Sequence, residues 1–350
     1  MPYNVYSTTR MLMAVKKLYP VFTWFKNRYF PTQDADIFPT SKVLIETAKG
    51  GKKMAPFVLP IVGGMVMERE GYEAREYEPP CINPKKKLTI DDLNVKGFGE
   101  DLYSEKTPEQ RQEEVLGEDL REMYDSIDRR IEWMCVQLLL TGQIVMNHVA
   151  DENSGKTVQK VLRFFNKEDG FQNLYTPSKK WNEEGNDKYA DLDAMVHILN
   201  QANCRAADLI LSGDLVKDFI EDEKIQALFN VRRMELGTIT PIETPEGVGY
   251  LGTINVRGKN LNIFAVDAVI EDKPLLSEGT VILTAPGMGR TLYGSITQLE
   301  QSDNAFHTYR AQVVPKYIAD PKYNIREVML TSRPVPIPND VESWIVAKVE

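Results

Sequence analysis

One segment of the sequence comes close to a phosphate-binding P-loop. Residues 150–157 read Ala-Asp-Glu-Asn-Ser-Gly-Lys-Thr, which departs from the pattern at its first glycine. In a P-loop, backbone N–H groups and a helix N-terminus converge on the phosphates, so a strand must precede the loop and a helix must follow it. Here a long predicted helix precedes the segment and strand-like residues 158–165 follow. The order favours a simple turn, and nucleotide binding at Lys156 stays open as an alternative.

A second glycine pattern, GxGxxG, occurs at Gly247, Gly249 and Gly252. A dinucleotide-binding fold needs a strand before this pattern and a helix after it. Prolines crowd the upstream side and a β-hairpin is predicted downstream, so we interpret the glycines as a flexible loop. Acidic pairs elsewhere are adjacent in sequence and lie in solvated stretches, which makes them weak candidates for acid–base catalysis.

The sulfur and imidazole side chains form no recognisable site. The three cysteines are far apart and have no CxxC spacing, and the three histidines are equally scattered. A zinc site or a redox disulfide is therefore not supported, and free thiols in a reducing cytosol are expected. We predict no catalytic residue, no cofactor and no metal.

Composition describes an ordinary folded protein with an acidic balance. The chain has 350 residues, of which 42% are hydrophobic and 27% charged, and its net charge is −9. This length suggests about two domains. A free-standing nucleic-acid binder usually carries a basic footprint, which this chain lacks. No apolar run approaches the ~18 residues of a membrane span, and no signal peptide is recognisable, so we expect synthesis in a cytoplasm and no membrane partner.

Residues 54–79 have the pattern of a long β-hairpin. The first limb is strand-like but contains two prolines, residues 68–71 suit a turn, and the return limb ends at Tyr77. Prolines push a strand to an edge or into an isolated ribbon. A lone two-stranded hairpin is marginal in water, so this one needs a surface to lie on.

The strongest local signal is a long helix that begins at Pro108, with Thr107 as N-cap and Gln110 completing the capping box. We predict that it runs to near His148 and is ~60 Å long. Its inward stripe consists of Leu116, Leu120, Met123, Ile127, Ile131, Met134, Leu138 and Val145. A coiled coil is the alternative, but a single stripe followed by β-like segments favours a strut within a domain.

Charged residues on and near this helix are expected to pair locally. Arg129 and Arg130 lie among Asp125, Asp128 and Glu132 at spacings that suit ion pairs within a helix. The one basic run, residues 85–87, is interpreted as a solvated face, and two alternatives stay open: it could face phosphate, or it could meet an acidic neighbouring subunit.

The N-terminal part contains a short helix at 8–19 and then an aromatic-rich element that includes Phe22, Trp24 and Phe25 and closes at Pro31. These aromatic residues could fold onto their own core or pack under a neighbouring copy. The remaining predicted elements are strands at 158–165, 207–212, 281–284, 311–317, 328–332 and 344–349, helices at 191–205 and 215–229, and a hairpin at 252–267 around 257–260.

The hairpin segment resembles the major capsid protein E family, the lambda-like branch of tailed-phage capsid proteins. An ungapped pattern carries the resemblance: Met54, Ala55, Phe57, Val58, Pro60, Ile61, Val62, Gly64, Val66, Gly71, Glu76, Tyr77, Pro79, Pro84 and Lys85. Supporting residues lie near both ends of the chain: Thr8, Thr9, Leu12, Pro20, Phe22, Thr291, Tyr293, Gly294, Asp320, Pro321, Pro334 and Trp344. The resemblance is thinnest between 150 and 250.

The resemblance implies an α+β fold, the tailed-phage major capsid fold. In it, 1–44 form an N-terminal arm and 45–100 an extended β-hairpin loop that crosses the neighbouring subunit. Residues 101–189 form a peripheral domain with a long spine helix, 190–305 an axial domain around the symmetry axes, and 306–350 the C-terminal strands of the peripheral domain.

The resemblance also implies a structural role. The chain would assemble into hexamers and pentamers of an icosahedral shell around double-stranded DNA, with a separate scaffold, portal and decoration proteins and no sequence-specific DNA contact. It would reside in the virion and, before assembly, in the host cytoplasm. A cellular encapsulating shell of the same fold is the alternative. The residues expected at contacts are Phe57, Val58, Pro60, Ile61, Val62, Tyr72, Tyr77, Lys85 and Lys86 in the loop, Phe22, Trp24 and Phe25 in the arm, and Gly247 and Gly249 in an axial loop.

Overall fold

A computed structural model describes residues 23–40, 42–48, 72–89, 108–149, 157–165, 170–232, 242–301, 304–322 and 325–350. The helices of these residues are α1 (Trp24–Tyr29), α2 (Pro108–Thr141), α3 (Lys188–Gln201), α4 (Leu215–Ile220) and α5 (Glu223–Arg232). The strands are β1 (Val43–Ala48), β2 (Tyr72–Tyr77), β3 (Lys85–Leu88), β4 (Gln143–Val149), β5 (Thr157–Arg163), β6 (Leu174–Tyr175), β7 (Asp208–Ser212), β8 (Val248–Val256), β9 (Lys259–Val266), β10 (Val269–Ile270), β11 (Lys273–Pro274), β12 (Thr280–Thr284), β13 (Gly289–Tyr293), β14 (Ile296–Leu299), β15 (Phe306–Tyr309), β16 (Val313–Asp320), β17 (Ile325–Ser332), β18 (Pro334–Pro338) and β19 (Ile345–Lys348).

A six-stranded mixed sheet, with strand order β6-β19-β12-β7-β9-β8, lies between two cores. Because successive side chains of a strand point to opposite faces, Leu209 and Leu211 join the core of helices α3, α4 and α5. Ile210, from the same strand, joins the core that contains α1 and α2. Both faces are covered, which explains why β7 and β12 are buried at every position and apolar at their three central positions.

Helix α2 starts at Pro108 as predicted but ends at Thr141, seven residues before the predicted end at His148. The predicted inward residues from Leu116 to Leu138 are buried, which confirms the stripe. The end was wrong because Gly142 adopts a left-handed conformation (φ 65°) that closes the helix, and its N–H bonds to the Leu138 carbonyl. The following residues form β4, and the 34-residue helix is about 50 Å long.

Strand β2 confirms the return limb of the predicted hairpin, and the predicted outgoing limb at 54–67 lies outside the described residues. Strand β2 ends at Tyr77, but its antiparallel partner is β1, with Val43 opposite Tyr77 and Ala48 opposite Tyr72. A turn at 68–71 would instead have paired Tyr72 with residue 67. Strand β1 is rich in β-branched residues and free of proline, which suits a strand better than the proline-containing segment does. Residues 49–71 lie outside the described part of the chain.

Most of the other predicted elements are confirmed within a few residues. The β8–β9 hairpin turns at Arg257 and Gly258, which both have positive φ, as expected for a two-residue hairpin loop. The helix predicted at 215–229 is two helices, because Asp222 accepts hydrogen bonds from the backbone N–H groups of Lys224 and Ile225 and starts α5 anew. Strand β18 contains three prolines and was missed for that reason.

The last strand pairs with different strands from those with which the prediction had grouped it in residues 306–350. Strand β19 lies between β12 and β6 in the six-stranded sheet, with Ile282 opposite Val346. Residues 345–348 therefore belong with strands from 208–284 and not with β16 and β17, where the prediction had grouped them. The division into arm, loop, peripheral and axial domains otherwise stays a prediction.

Candidate assembly interface

Trp24 and Phe25, two of the three aromatic contact residues predicted in the arm, lie in the core of their own subunit. Trp24 and Phe25 are buried, and the Trp24 ring centroid is 5.1 Å from that of Phe264 on β9. Of the two alternatives left open by the sequence, the structure shows the first, so Trp24 and Phe25 are corrected from contact residues to core residues. Phe22 and the predicted helix at 8–19 lie outside the described residues.

A buried carboxylate on α2 caps helix α1. Glu132 accepts hydrogen bonds from the backbone N–H groups of Phe25 (2.6 Å) and Lys26 (2.9 Å), and the Lys26 ammonium pairs with Asp128 at 2.8 Å. Burial raises the pKa of Glu132 to about 7. The predicted local pairs of Asp128 and Glu132 with neighbouring arginines are therefore wrong, since both acidic residues turn inward to α1.

A second buried carboxylate holds α1 to the six-stranded sheet. Asp208, fully buried at the start of β7, accepts hydrogen bonds from Arg28 Nε (2.6 Å) and Nη2 (3.0 Å). It also accepts from the Tyr29 hydroxyl and the Asn262 amide, both at 3.1 Å. The Arg28 guanidinium lies 4.8 Å from the Phe264 ring centroid. Helix α1 is thus fixed on one side by the long helix and on the other by the sheet.

Strands β1 and β2 form a two-stranded ribbon that pairs with no third strand among the described residues. Its base is attached to the body, because Val43 is buried and Glu78 accepts a 2.7 Å hydrogen bond from Lys160 on β5. This contact lowers the pKa of Glu78. Directly after the ribbon, Ile82 forms a β-bridge with Ser332 at the end of β17.

The predicted loop contacts are therefore divided between two regions. Tyr72 and Tyr77 are the end residues of β2 and belong to the ribbon. The apolar residues that the resemblance singled out lie outside the described part of the chain: Phe57, Val58, Pro60, Ile61 and Val62. Their role stays a prediction.

The basic run lies on β3, an edge strand of the β16-β17-β3 sheet. Lys86 points toward α2, where its ammonium pairs with Asp119 at 3.0 Å and also contacts Glu122. Lys86 therefore has acidic partners in its own subunit, and its contact with a neighbouring subunit stays a prediction. Lys85 and Lys87 are on the opposite face of the strand, and Lys87 lies 3.3 Å from Glu327.

The glycine motifs resolve into turns and strands. Gly247 is in a turn with φ 86°, whereas Gly249 is in β8 opposite Ala265, so the loop prediction is correct for the first and wrong for the second.

The P-loop-like segment lies between strands β4 and β5, which are antiparallel, with Val149 opposite Thr157. A strand therefore precedes residues 150–156, where a helix had been predicted, and a strand follows them. The helix that a P-loop requires after its lysine is not there.

Two of the residues that fix the architecture, Glu132 and Asp208, were not recognised as such from the sequence. Glu132 directly follows Ile131 of the inward stripe, and Asp208 begins a strand whose other residues are mostly apolar. A carboxylate within a buried pattern is a signal for a buried partner, because an unpaired charge there is costly.

Comparison with known proteins decides the family. The model of the family "Phage major capsid protein E" matches residues 7–349. The chain belongs to this family. The major capsid protein of Enterobacteria phage P21 is 21% identical over 329 residues, which cover 89% of this chain and 90% of that protein. The resemblance noted in the hairpin segment is thereby confirmed along nearly the whole chain.

Solved structures agree on the fold. The putative capsid protein of a prophage of Escherichia coli CFT073 matches with a TM-score of 0.62 and 19% identity, covering 99% of this chain and 97% of that one. A phage-related protein of Bordetella bronchiseptica RB50 matches with a TM-score of 0.52 and 10% identity, covering 97% and 95%. The predicted α+β capsid fold is confirmed.

The chain is the major capsid protein of a tailed phage and is located in the virion capsid. The family is one of structural capsid proteins and not of enzymes. Among the helices of the described residues, none combines the length and apolarity needed to cross a membrane.

Proposed function

We propose that this capsid protein assembles into an icosahedral shell of hexamers and pentamers around double-stranded DNA, with the β1–β2 ribbon and the loop it carries lying across a neighbouring subunit. The ribbon supports this proposal most directly. It pairs with no third strand in the described residues, and an isolated two-stranded ribbon is marginal in water. A neighbouring subunit would supply the missing surface.

The attachment of the ribbon suits such a contact. Val43 on one limb and the Glu78–Lys160 pair just beyond the other limb fix the base to the body of the subunit. A ribbon held at its base presents its far end in a defined direction. Contact between unlike surfaces of identical subunits generates a ring when the rotation between subunits closes, and the proposed shell is built from such rings.

Partners follow from the same proposal. We expect a separate scaffold to set the shell size, together with portal and decoration proteins. The host cytoplasm holds the subunits before assembly. With a net charge of −9 the subunit is suited to enclose DNA without sequence-specific contact.

The test is assembly of the purified chain with and without its scaffold, followed by electron microscopy. Wild type should form closed shells with the scaffold and shells of irregular size without it. Val62→Asp should stay soluble and fail to assemble, because the contact would bury an unpaired charge, whereas the conservative Val62→Ile should assemble normally. Uniform shells without scaffold would refute the need for one, and normal shells from Val62→Asp would refute the placement of the loop.

A further inference from the structure

Three lysines form a patch on the outer face of the β16-β17-β3 sheet. Lys316, Met329 and Lys85 lie opposite one another across the three strands, and the next row consists of Ile318, Glu327 and Lys87. These six residues are the basic patch. Lys85 and Lys87 are exposed and the other four are half-buried.

The inner face of the same sheet packs on α2, which carries an acidic surface beside it. Val328 of the inner face is buried in the core, and Lys86 reaches from this face to Asp119 and Glu122. Glu122 is the last of three glutamates at i, i+4 spacing. These exposed residues, Glu114, Glu118 and Glu122, are the glutamate row.

The glutamate row is unfavourable for an isolated helix, because like charges four residues apart repel. The helix dipole stabilises acidic residues only within the first turn of a helix, and the glutamate row lies beyond the first turn of α2. In the same subunit Lys86 contacts the last member of the row. A cation brought near the row reduces the repulsion among its carboxylates.

We infer that the basic patch of one subunit binds the glutamate row of a neighbouring copy. The inference rests on the proposed function, assembly of identical subunits. The two surfaces are distinct and have opposite charge, as a contact between unlike surfaces that repeats from subunit to subunit requires.

The composition of the patch favours a protein partner over DNA. Met329 and Ile318 place apolar surface between the charges, and Glu327 would repel phosphate. Protein interfaces mix apolar and charged groups in this way, whereas binding to DNA depends on the number of phosphates that cations neutralise.

Charge reversal on each surface, alone and together, tests the inference. Lys85→Glu with Lys316→Glu, and separately Glu114→Lys with Glu118→Lys, should each raise the subunit concentration needed for assembly roughly tenfold, because attraction becomes repulsion. The four substitutions combined should restore assembly to within about threefold of wild type. Lys217→Glu with Lys273→Glu, which reverses two exposed lysines elsewhere, is the control for net charge and should have little effect.

Thermal unfolding of each variant subunit verifies that it folds, and the DNA content of shells is measured in parallel. The inference is overturned if neither reversal changes assembly, if the combination does not restore it, or if the control has an equal effect. Normal shells that lose DNA in the lysine variant would overturn it in favour of DNA as the partner. Failure of wild type to assemble would count against the proposed function itself.

Discussion

Asp208 and its partner Arg28 hold α1 to the six-stranded sheet, and we call this pair the clamp. The clamp can be tested by Asp208→Asn, a substitution that preserves size and removes the charge. The carboxylate accepts two hydrogen bonds from Arg28 and one each from Tyr29 and Asn262, and it is fully buried. Hydrogen bonds to a charged group are each worth about 1.5–3 kcal/mol. The amide keeps one acceptor oxygen but no charge.

The expected loss of unfolding free energy is about 3 kcal/mol. Breaking a fully buried ion pair costs about 3–5 kcal/mol. The Arg28 side chain is 22% exposed and regains some hydration, so the lower end of that range applies. The assay is urea denaturation of subunits kept below the concentration at which they assemble.

A matched control exists in the same subunit. Asp193 pairs with Arg257 at 2.8 Å, and both side chains are about one-third exposed, so Asp193→Asn should cost less than about 1 kcal/mol. A double-mutant cycle with Arg28→Met should show that the losses from Arg28 and Asp208 are not additive. Equal losses for the two asparagine variants, or additive losses in the cycle, would refute the clamp.

Three further predictions concern the core beneath α1 and the end of α2. Since the pKa of Glu132 is raised to about 7 in the folded subunit from an ordinary 4.5, the unfolding free energy should fall by up to about 3 kcal/mol as the pH rises from 4.5 to 7. Glu132→Gln should abolish that slope in pH-dependent urea titrations, and an unchanged slope would assign it to other groups. Gly142→Ala should cost at least ~1 kcal/mol, because φ is 65° and the new methyl would lie 2.5 Å from Phe171; calorimetry showing no loss would contradict the left-handed helix end. Trp344→Phe should cost about 1–3 kcal/mol, because the indole N–H donates to the buried Leu139 carbonyl at 2.8 Å, and a neutral result in denaturation would show that this bond does not stabilise the fold.

Periodic patterns predicted the regular elements well. The apolar stripe of α2 and the β8–β9 hairpin with Gly258 in its turn depend on neighbours in sequence, so local spacing is sufficient to identify them. The end of α2 was missed because a single glycine within a helical pattern does not by itself end a helix, and only the left-handed conformation of Gly142 closes this one. Strand β18 was missed because it contains three prolines, which are rare in strands. They are tolerated in this strand, which pairs with β13.

The polar contacts that fix the architecture could not be predicted in the same way. Glu132 and Phe25 are 107 residues apart, and Arg28 and Asp208 are 180 apart. Local spacing instead suggested pairs within α2, since residues four apart on a helix are neighbours. The choice of partner is decided by burial, because a carboxylate that enters the core must satisfy its charge there.

The contact residues of the extended loop remain a product of the resemblance and not of geometry. The same limit holds for the hairpin, whose partner strand was misplaced: Tyr72 pairs with Ala48, although a nearer segment has a strand-like composition. In an isolated two-stranded ribbon, pairing is specified only weakly by the side chains themselves.

The central claim is that burial of the β1–β2 ribbon is completed by a neighbouring copy in a closed shell. Cryo-electron microscopy of shells assembled from the purified chain with its scaffold tests it most directly. We expect icosahedral particles in which residues 43–77 lie on the adjacent subunit. Particles in which these residues contact only their own subunit, or a chain that stays monomeric under assembly conditions, would contradict it.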